Sequence, residues 1–515
     1  MHFHTQYILP DRYYRQQLIN DLADDYIVCQ EQSMLKSITY YDTFDWRLFN
    51  KSLVLFTSEN RLFLRKLFKK KTIHEIAITS SPVFLKDFPD CELKKQLDPV
   101  IEMRALIKLV KVNSTLTGHH ILNRDKKTVT RLIYEEIRLP QGRKEDLSTA
   151  CLWLPKIKNS PKDFKQLVER FKELGFTRGK NEDIYFTALK SVKKNPGDYT
   201  SKLKIQLHPG MRSDEAARTI FRYLSQIIRM NEIHIKKDLD TGFIHDFRVA
   251  VRRTRSALGQ IKSVFPRETT RRFKKNLAFV GKLTNRLRDL DVCLLNEEKY
   301  KALLPDVLHG DIAPLFEHLT KIRLNAFKEV ITQLESTKYL HIMKDWETFI
   351  NESHTDSPSA SNAKIPIVDL AQKRIFTQYQ DIIKTGSQIL EDMEEEKLHA
   401  LRIKCKNLRY MMEFTSSLFP KKKIRQLIKQ VKKMQRNLGY FNDMHVQINH
   451  LKHIAQQLPV ADQKSKNTLI ATGSLIGTLD GEKQAAKKMF LKIFKAFAAS
   501  SNIRAFREFF VSKKE

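Results

Sequence analysis

The sequence predicts an α+β chain in two parts, a strand-rich N-terminal part and an all-α C-terminal part, on three observations. Between residues 1 and about 160, apolar and polar residues alternate with the two-residue period of half-buried strands. From Met211 onward the apolar residues recur at helical spacing almost to the C-terminus, and Gly and Pro become scarce. Within this second part a segment of some 45 residues occurs twice without gaps.

Taken in order, SLVLFT (52–57), RLFLRKLF (61–68) and TVTRLIYEEIRL (128–139) read as strands, and KDFKQLVERFKELGF (162–176) as an amphipathic helix. Pro196–Gly197 and Pro209–Gly210 punctuate a stretch of weak periodicity, which places a junction between domains at 1–200 and 211–515. Ser213 is the expected N-cap of the first long helix, with Asp214 and Glu215 in its first turn. The polar segment HTDSPSASNAKIP (354–366) reads as a flexible linker between a first repeat at about 211–353 and a second at about 367–515.

The 515 residues carry 92 Lys plus Arg against 59 Asp plus Glu, a net charge of +33. So large a surplus repels itself and implies a polyanionic partner: nucleic acid, anionic membrane or a phosphate polymer. No apolar run approaches the length of a membrane span, and MHFHTQYILP is no signal peptide, so a cytoplasmic protein without a membrane partner is expected. Cys29, Cys91, Cys151, Cys293 and Cys405 are scattered without a C-x-x-C pair, which suggests buried thiols and neither a disulfide framework nor a zinc site.

The repeat carries the functional argument. HDFRVAVRRTR from His245 and HALRIKCKNLR from His399 are 154 residues apart, and this offset superposes Arg248 on Arg402, Arg252 on Lys406 and Arg255 on Arg409. It also superposes Phe265–Pro266 on Phe419–Pro420 and Asp289 on Asp443. Steps of 3, 4 and 3 residues put the His and the three cations on one stripe of a helix. Phe247, Val251 and Leu258, or Leu401, Cys405 and Leu408, supply the packing face. Residues 243–291 hold 13 Lys plus Arg and 4 acids, and 397–445 hold 13 and 2, so the repeat carries +20 of the +33. A row of cations on a helix is usually a solvated face. Its recurrence in phase favours an anion site instead, because a bound anion relieves the repulsion within each stripe.

At these residues the sequence resembles the CHAD family, the conserved-histidine α-helical domain, over roughly residues 211–515. The resemblance implies two similar four-helix bundles facing each other across a basic channel, binding of inorganic polyphosphate, and association with polyphosphate granules in some members. By carry-over, His245, Arg248, Arg252, Arg255, His399, Arg402, Lys406 and Arg409 line the channel, and the basic neighbours Arg253, Lys274, Lys282 and Arg436 join them. Lys406 keeps the charge of its counterpart Arg252 but lacks the bidentate fork.

The N-terminal part resembles a divergent CYTH domain, an antiparallel β-barrel of triphosphate-tunnel type, through YYDTFDWRLFNKSL (40–53) and LDPVIEMR (97–104). Catalytic members of that family open with E-x-E-x-K, whose glutamates hold a divalent metal. Here His2, His4 and Gln6 stand in those places, Phe56 replaces an arginine, and LWLPKI (152–157) lacks late-strand glutamates. Hard cations need oxygen ligands, so neither a metal site nor catalytic residues are expected, and no cofactor. His2 and His4 as a replacement metal pair is the weaker alternative, and Arg61, Arg65, Lys66 and Arg104 remain available to phosphate. The expected function is non-catalytic polyphosphate binding. The alternatives are a metal-dependent triphosphatase or polyphosphatase in the barrel, and charge-driven nucleic-acid binding.

Overall fold

In the computed structural model the chain divides into two compact units, Met1–Thr200 and Ser201–Glu515. The structure describes residues 3–10, 13–68, 72–141, 144–155, 162–179, 184–200, 203–352, 359–389, 393–458 and 462–511. Phe3, His4, Gln141 and residues 144–148 are described by their backbone alone.

The first unit runs β1 (Phe3–Ile8), α1 (Arg15–Ala23), β2 (Ile27–Gln30), β3 (Met34–Thr43), α2 (Arg47–Asn50), β4 (Leu53–Ser58), β5 (Arg61–Lys66) and β6 (Thr72–Ala77). It continues through α3 (Glu92–Ile101), β7 (Leu106–Leu122), β8 (Thr128–Gln141), β9 (Lys144–Pro155), α4 (Lys162–Glu173), β10 (Thr177–Arg178) and α5 (Ile184–Ser191). The strands form one antiparallel sheet in the order β10-β1-β9-β8-β7-β3-β4-β5-β6. The 17-residue β7 is its spine, with β8 along one edge and β3 followed by β2 along the other. This is the antiparallel class that the CYTH resemblance implies, built from the strands that the alternation predicts. Among the described residues the sheet is not closed, since β10 and β6 are its ends.

The segment that carries the CYTH resemblance has a structural task. The buried Asp42 carboxylate accepts the backbone N–H groups of Thr43, Leu48 and Phe49 at 2.7–2.9 Å, folding the chain from β3 into α2. Burial outweighs those bonds and pushes Asp42 up to about 7. Asp45 accepts from Thr43 Oγ1 at 2.8 Å and Arg47 Nε at 2.9 Å, with Arg104 Nε 3.7 Å away. Burial works against its charge, but Arg104 and Arg47 prevail and hold it below the usual carboxylate range.

The second unit is helical: α6 (Ser213–Ile235), α7 (Thr241–Gln260), α8 (Arg267–Leu283), α9 (Asn285–Leu295), α10 (Glu297–Ala302), α11 (Ala313–Glu335), α12 (Thr337–Asn351), α13 (Ile367–Ile389), α14 (Glu395–Phe414), α15 (Lys421–Gln457), α16 (Gln463–Phe497) and α17 (Ser500–Phe510). The offset of 154 carries both ends of α6 onto α13, both ends of α7 onto α14, and the start of α8 onto that of α15. The duplication thus extends well beyond the histidine segments. No described helix is long and apolar enough to cross a membrane.

Two local expectations need correction. The Ser213 hydroxyl does not cap its helix; it donates to the Ile365 carbonyl at 2.7 Å, and Arg212 occupies the cap position. Cys151, Cys293 and Cys405 are buried free thiols, whereas Cys29 is exposed and Cys91 half-buried. The polar segment at 354–366 lies outside the described residues as far as Pro358. Its end is pinned: Asn362 donates to the carbonyls of Ser263 and Lys262 at 2.8 Å, and Ile367 N–H to that of Met211 at 2.9 Å.

Candidate functional site

The two motif helices are built alike. On α7 the apolar face buries Phe243, Phe247, Val251 and Leu258, and on α14 it buries Leu401, Cys405, Leu408 and Met412. These anchors fix the rotation of each helix, so the cations at 3-4-3 spacing are left on the other side. The helices also meet each other. Ser256 Oγ and Asn407 Oδ1 are 3.0 Å apart, and Arg252 Nε donates to Tyr410 Oη at 3.2 Å.

Tyr410 is almost wholly buried, at 1% exposure, and is the hub of the pairing. The guanidinium carbons of Arg409 and Arg253 lie 5.0 and 5.6 Å from its ring centroid. Burial raises the cost of ionising its phenol, but Arg252, Arg409 and Arg253 outweigh burial and set the group below its ordinary value.

Two basic cavities adjoin this pair. One, of about 630 Å³, has Tyr410 in its wall together with eight cations, Arg252, Arg255, Lys262, Lys274, Arg374, Arg402, Lys404 and Lys406, and a single acid, Asp381. The other, of about 1280 Å³, is lined by Lys204, Arg253, Arg409, Lys421, Arg425, Lys429, Lys432 and Arg436, again with one acid, Glu413. Crowded cations mark the smaller cavity. Burial, then Arg402 and Arg252, push Lys406 down to about 7 against the pull of Asp443. Burial likewise lowers Arg402 and Arg374. The Nε–H groups of Arg402 and Arg409 are buried with no hydrogen-bond acceptor among the described residues. Such donors cost free energy unless a ligand or water meets them; the carboxylate beside Arg409 Nε, that of Glu413, is 3.9 Å away.

Of the residues expected at the site, Arg252, Arg255, Lys274, Arg402 and Lys406 line the smaller cavity, and Arg253, Arg409 and Arg436 the larger. Arg248 points elsewhere. Its Nη1 donates to the Gly281 carbonyl at 3.2 Å, Thr284 Oγ1 at 3.2 Å and Asn285 Oδ1 at 2.6 Å, where the chain breaks between α8 and α9. Burial pushes it down to about 10. His245 and Lys282 are exposed and line neither cavity. His399 lines a separate hollow of about 230 Å³ with His445, its Nδ1 2.7 Å from Asn442 Oδ1.

Sequence reasoning missed the row Lys421, Arg425, Lys429 and Lys432 on α15, naming only Arg436 beyond it. The signal was present: steps of 4, 4, 3 and 4 residues repeat the stripe pattern one helix later. Lys204, Lys262, Arg374 and Lys404 carry no such periodicity and are brought in by the fold alone.

In the first unit Arg61 pairs with Glu75 at 2.6 Å, Arg65 stands 5.7 Å from the Phe56 ring centroid, and Lys66 is exposed at the end of β5. Arg104 is buried beside Asp45. His2 and the His4 side chain lie outside the described residues, as do the last two residues of LWLPKI. Among the described residues no three His, Cys, Asp or Glu side chains gather as a metal site would require.

An α-helical tandem repeat with basic cavities beside its paired motif helices defines the class of the second unit. Residues 219–452 match the CHAD domain, so the chain carries a CHAD domain in this unit. Three solved structures are similar to the chain in part. The CHAD domain from the plant Ricinus communis has 21% identity and a TM-score of 0.44, covering 62% of this chain and 98% of its own. PptA from Streptomyces chartreusis has 14% identity and a TM-score of 0.42, covering 55% and 99%. The putative adenylyl cyclase HpAC1 from Hippeastrum, described as having a dominant triphosphatase activity, has 15% identity and a TM-score of 0.26, covering 38% and 100%. No curated protein matches the chain in sequence.

Proposed function

We propose that the second unit binds inorganic polyphosphate, without turning it over, in the basic cavities beside α7 and α14. The observation that carries this is the lining: sixteen cations in two cavities against two carboxylates. A linear polymer with about one charge per phosphate meets such rows with little need for further recognition groups. Nucleic acid fits less well. Tyr410, the aromatic residue at the centre of the stripes, is buried against arginines and offers no face for base stacking. The CHAD membership supports the same ligand, and a protein of this kind would associate with polyphosphate granules in the cytoplasm.

The test is titration with polyphosphate at low and moderate salt, with RNA as competitor at matched phosphate and released phosphate followed in Mg²⁺ or Mn²⁺. Tight binding that weakens steeply with salt, resists RNA and releases no phosphate is expected. Equal preference for RNA would reduce the site to a general polyanion surface, and metal-dependent release would move attention to the first unit.

A further inference from the structure

The larger cavity holds one carboxylate among its cations. Glu413, on the last turn of α14, sits 3.1 Å from Lys432 Nζ, 3.5 Å from Arg253 Nη2 and 3.9 Å from Arg409 Nε. Three helices, α15, α7 and α14, thus direct a cation at one acid whose side chain is only 13% exposed. The position is particular to the second repeat, because 154 residues earlier stands Gly259. There the corresponding space belongs to a cation: Lys274 Nζ lies 3.4 Å from where a Cβ would be. In the smaller cavity the one lining acid, Asp381, holds a single cation, Lys404, at 2.9 Å, whereas in the larger Glu413 engages three.

A phosphate entering the larger cavity must share those cations with Glu413 or displace it. A short anion reaches few other groups and meets the like charge at full cost. A long chain engages Lys421, Arg425, Lys429 and Arg436 as well, and these linked contacts offset the displacement. We propose that Glu413 is a built-in competitor of the ligand, which sets how long and how highly charged a phosphate chain must be to occupy the larger cavity. This rests on the polyphosphate-binding function proposed above.

The experiment compares wild type and E413Q in titrations with tripolyphosphate and with long-chain polyphosphate, alongside circular dichroism and melting. Glutamine keeps the size and removes the charge. E413Q is expected to bind tripolyphosphate roughly five-fold tighter or better, long chains less so, and to melt lower because three cations lose their partner. A merely structural role would lower the melting point without tightening binding. Unchanged or weaker binding by a folded E413Q, with wild type binding normally, overturns the proposal and leaves polyphosphate binding intact. Should E413Q not fold, E413D carries the same test: it draws the charge back by one methylene, and affinity no better than wild type overturns the proposal. Binding by neither wild type nor any variant, or by E413Q alone, removes polyphosphate binding as the function of the native chain and with it the proposal that rests on it.

Discussion

The two repeats carry the same motif and use it differently. The segment of the first repeat that follows Phe265–Pro266 is broken at Thr284 into α8 and α9, whereas its counterpart in the second is the unbroken 37-residue α15. The break exposes a carbonyl and two side-chain oxygens, and Arg248 is committed to all three. Its counterpart Arg402 faces a continuous helix, whose carbonyls are already bonded. It stays in the smaller cavity, 3.6 Å from Asp443. Identical residues at identical phase thus have different tasks, because the difference lies in the backbone opposite them and not in the motif.

The largest expected effects separate these two arginines. Arg402→Ala should weaken polyphosphate binding by about 1.5–3 kcal/mol, roughly 10- to 150-fold, the cost of a charge-assisted contact, with little change in melting temperature. Arg248→Ala should do the reverse, costing about 1.5–3 kcal/mol of stability through the freed groups at the break, with a much smaller loss of affinity. Parallel calorimetric titration and thermal melts measure both. Equal affinity losses in the two variants would mean that Arg248 leaves the break when ligand binds, and the contrast between the repeats would hold only for the free protein.

How much of this was legible in the sequence follows from which forces are periodic. The anchors and the duplication are helical patterns: α7 and α14 bury the faces read for them, and the offset extends to the ends of α6 and α13, which lie beyond the repeated segment as read. Alternation likewise revealed β4, β5 and β8. The fate of Arg248 was not legible, since it depends on three oxygen atoms 33 to 37 residues away in the chain. His245 and His399 were read as members of the stripes because they fall in phase. Each stands at the N-terminal end of its stripe, outside the two basic cavities beside Tyr410. The Asp42 and Asp45 motif carried a family resemblance, yet what its acids do in this chain, folding one turn, depends on backbone N–H groups and arginines that only the fold brings to them.

A second contrast is Arg252 against Lys406, with an effect of up to ten-fold per pH unit. Lys406 faces Arg402 and Arg409 on its own helix, Arg252 on α7 and Asp443 on α15, and is pushed down to about 7 from an ordinary value of 10.5. An anion raises it again, so above pH 7 binding takes up a proton and affinity should fall as pH rises through 7. Stability should move the other way: the unfolded lysine holds its proton up to 10.5, so unfolding takes up protons between pH 7 and 10.5 and stability rises across that window. Lys406→Arg, which stays charged throughout, should flatten both slopes. A wild-type affinity that is constant from pH 6 to 9 would show that Lys406 is already charged in the free protein.

The smallest effect comes from making the first repeat resemble the second. Gly259→Glu places a carboxylate where Glu413 stands in the other copy, beside Lys274, whose flexible end sets the nearest contact to a new Cβ. Gly259 lies in the last turn of α7, so a glutamate or glutamine there should add at most about 0.5–1 kcal/mol of helix stability. The new charge should at the same time weaken polyphosphate binding by roughly three-fold, the scale of a partly solvated ion pair. Gly259→Gln separates the two effects, since it gains the stability and keeps the affinity. Loss of affinity in both variants would assign the effect to bulk in the smaller cavity. Loss in the glutamate variant alone would show that an acid at this position weakens binding through its charge in the first repeat.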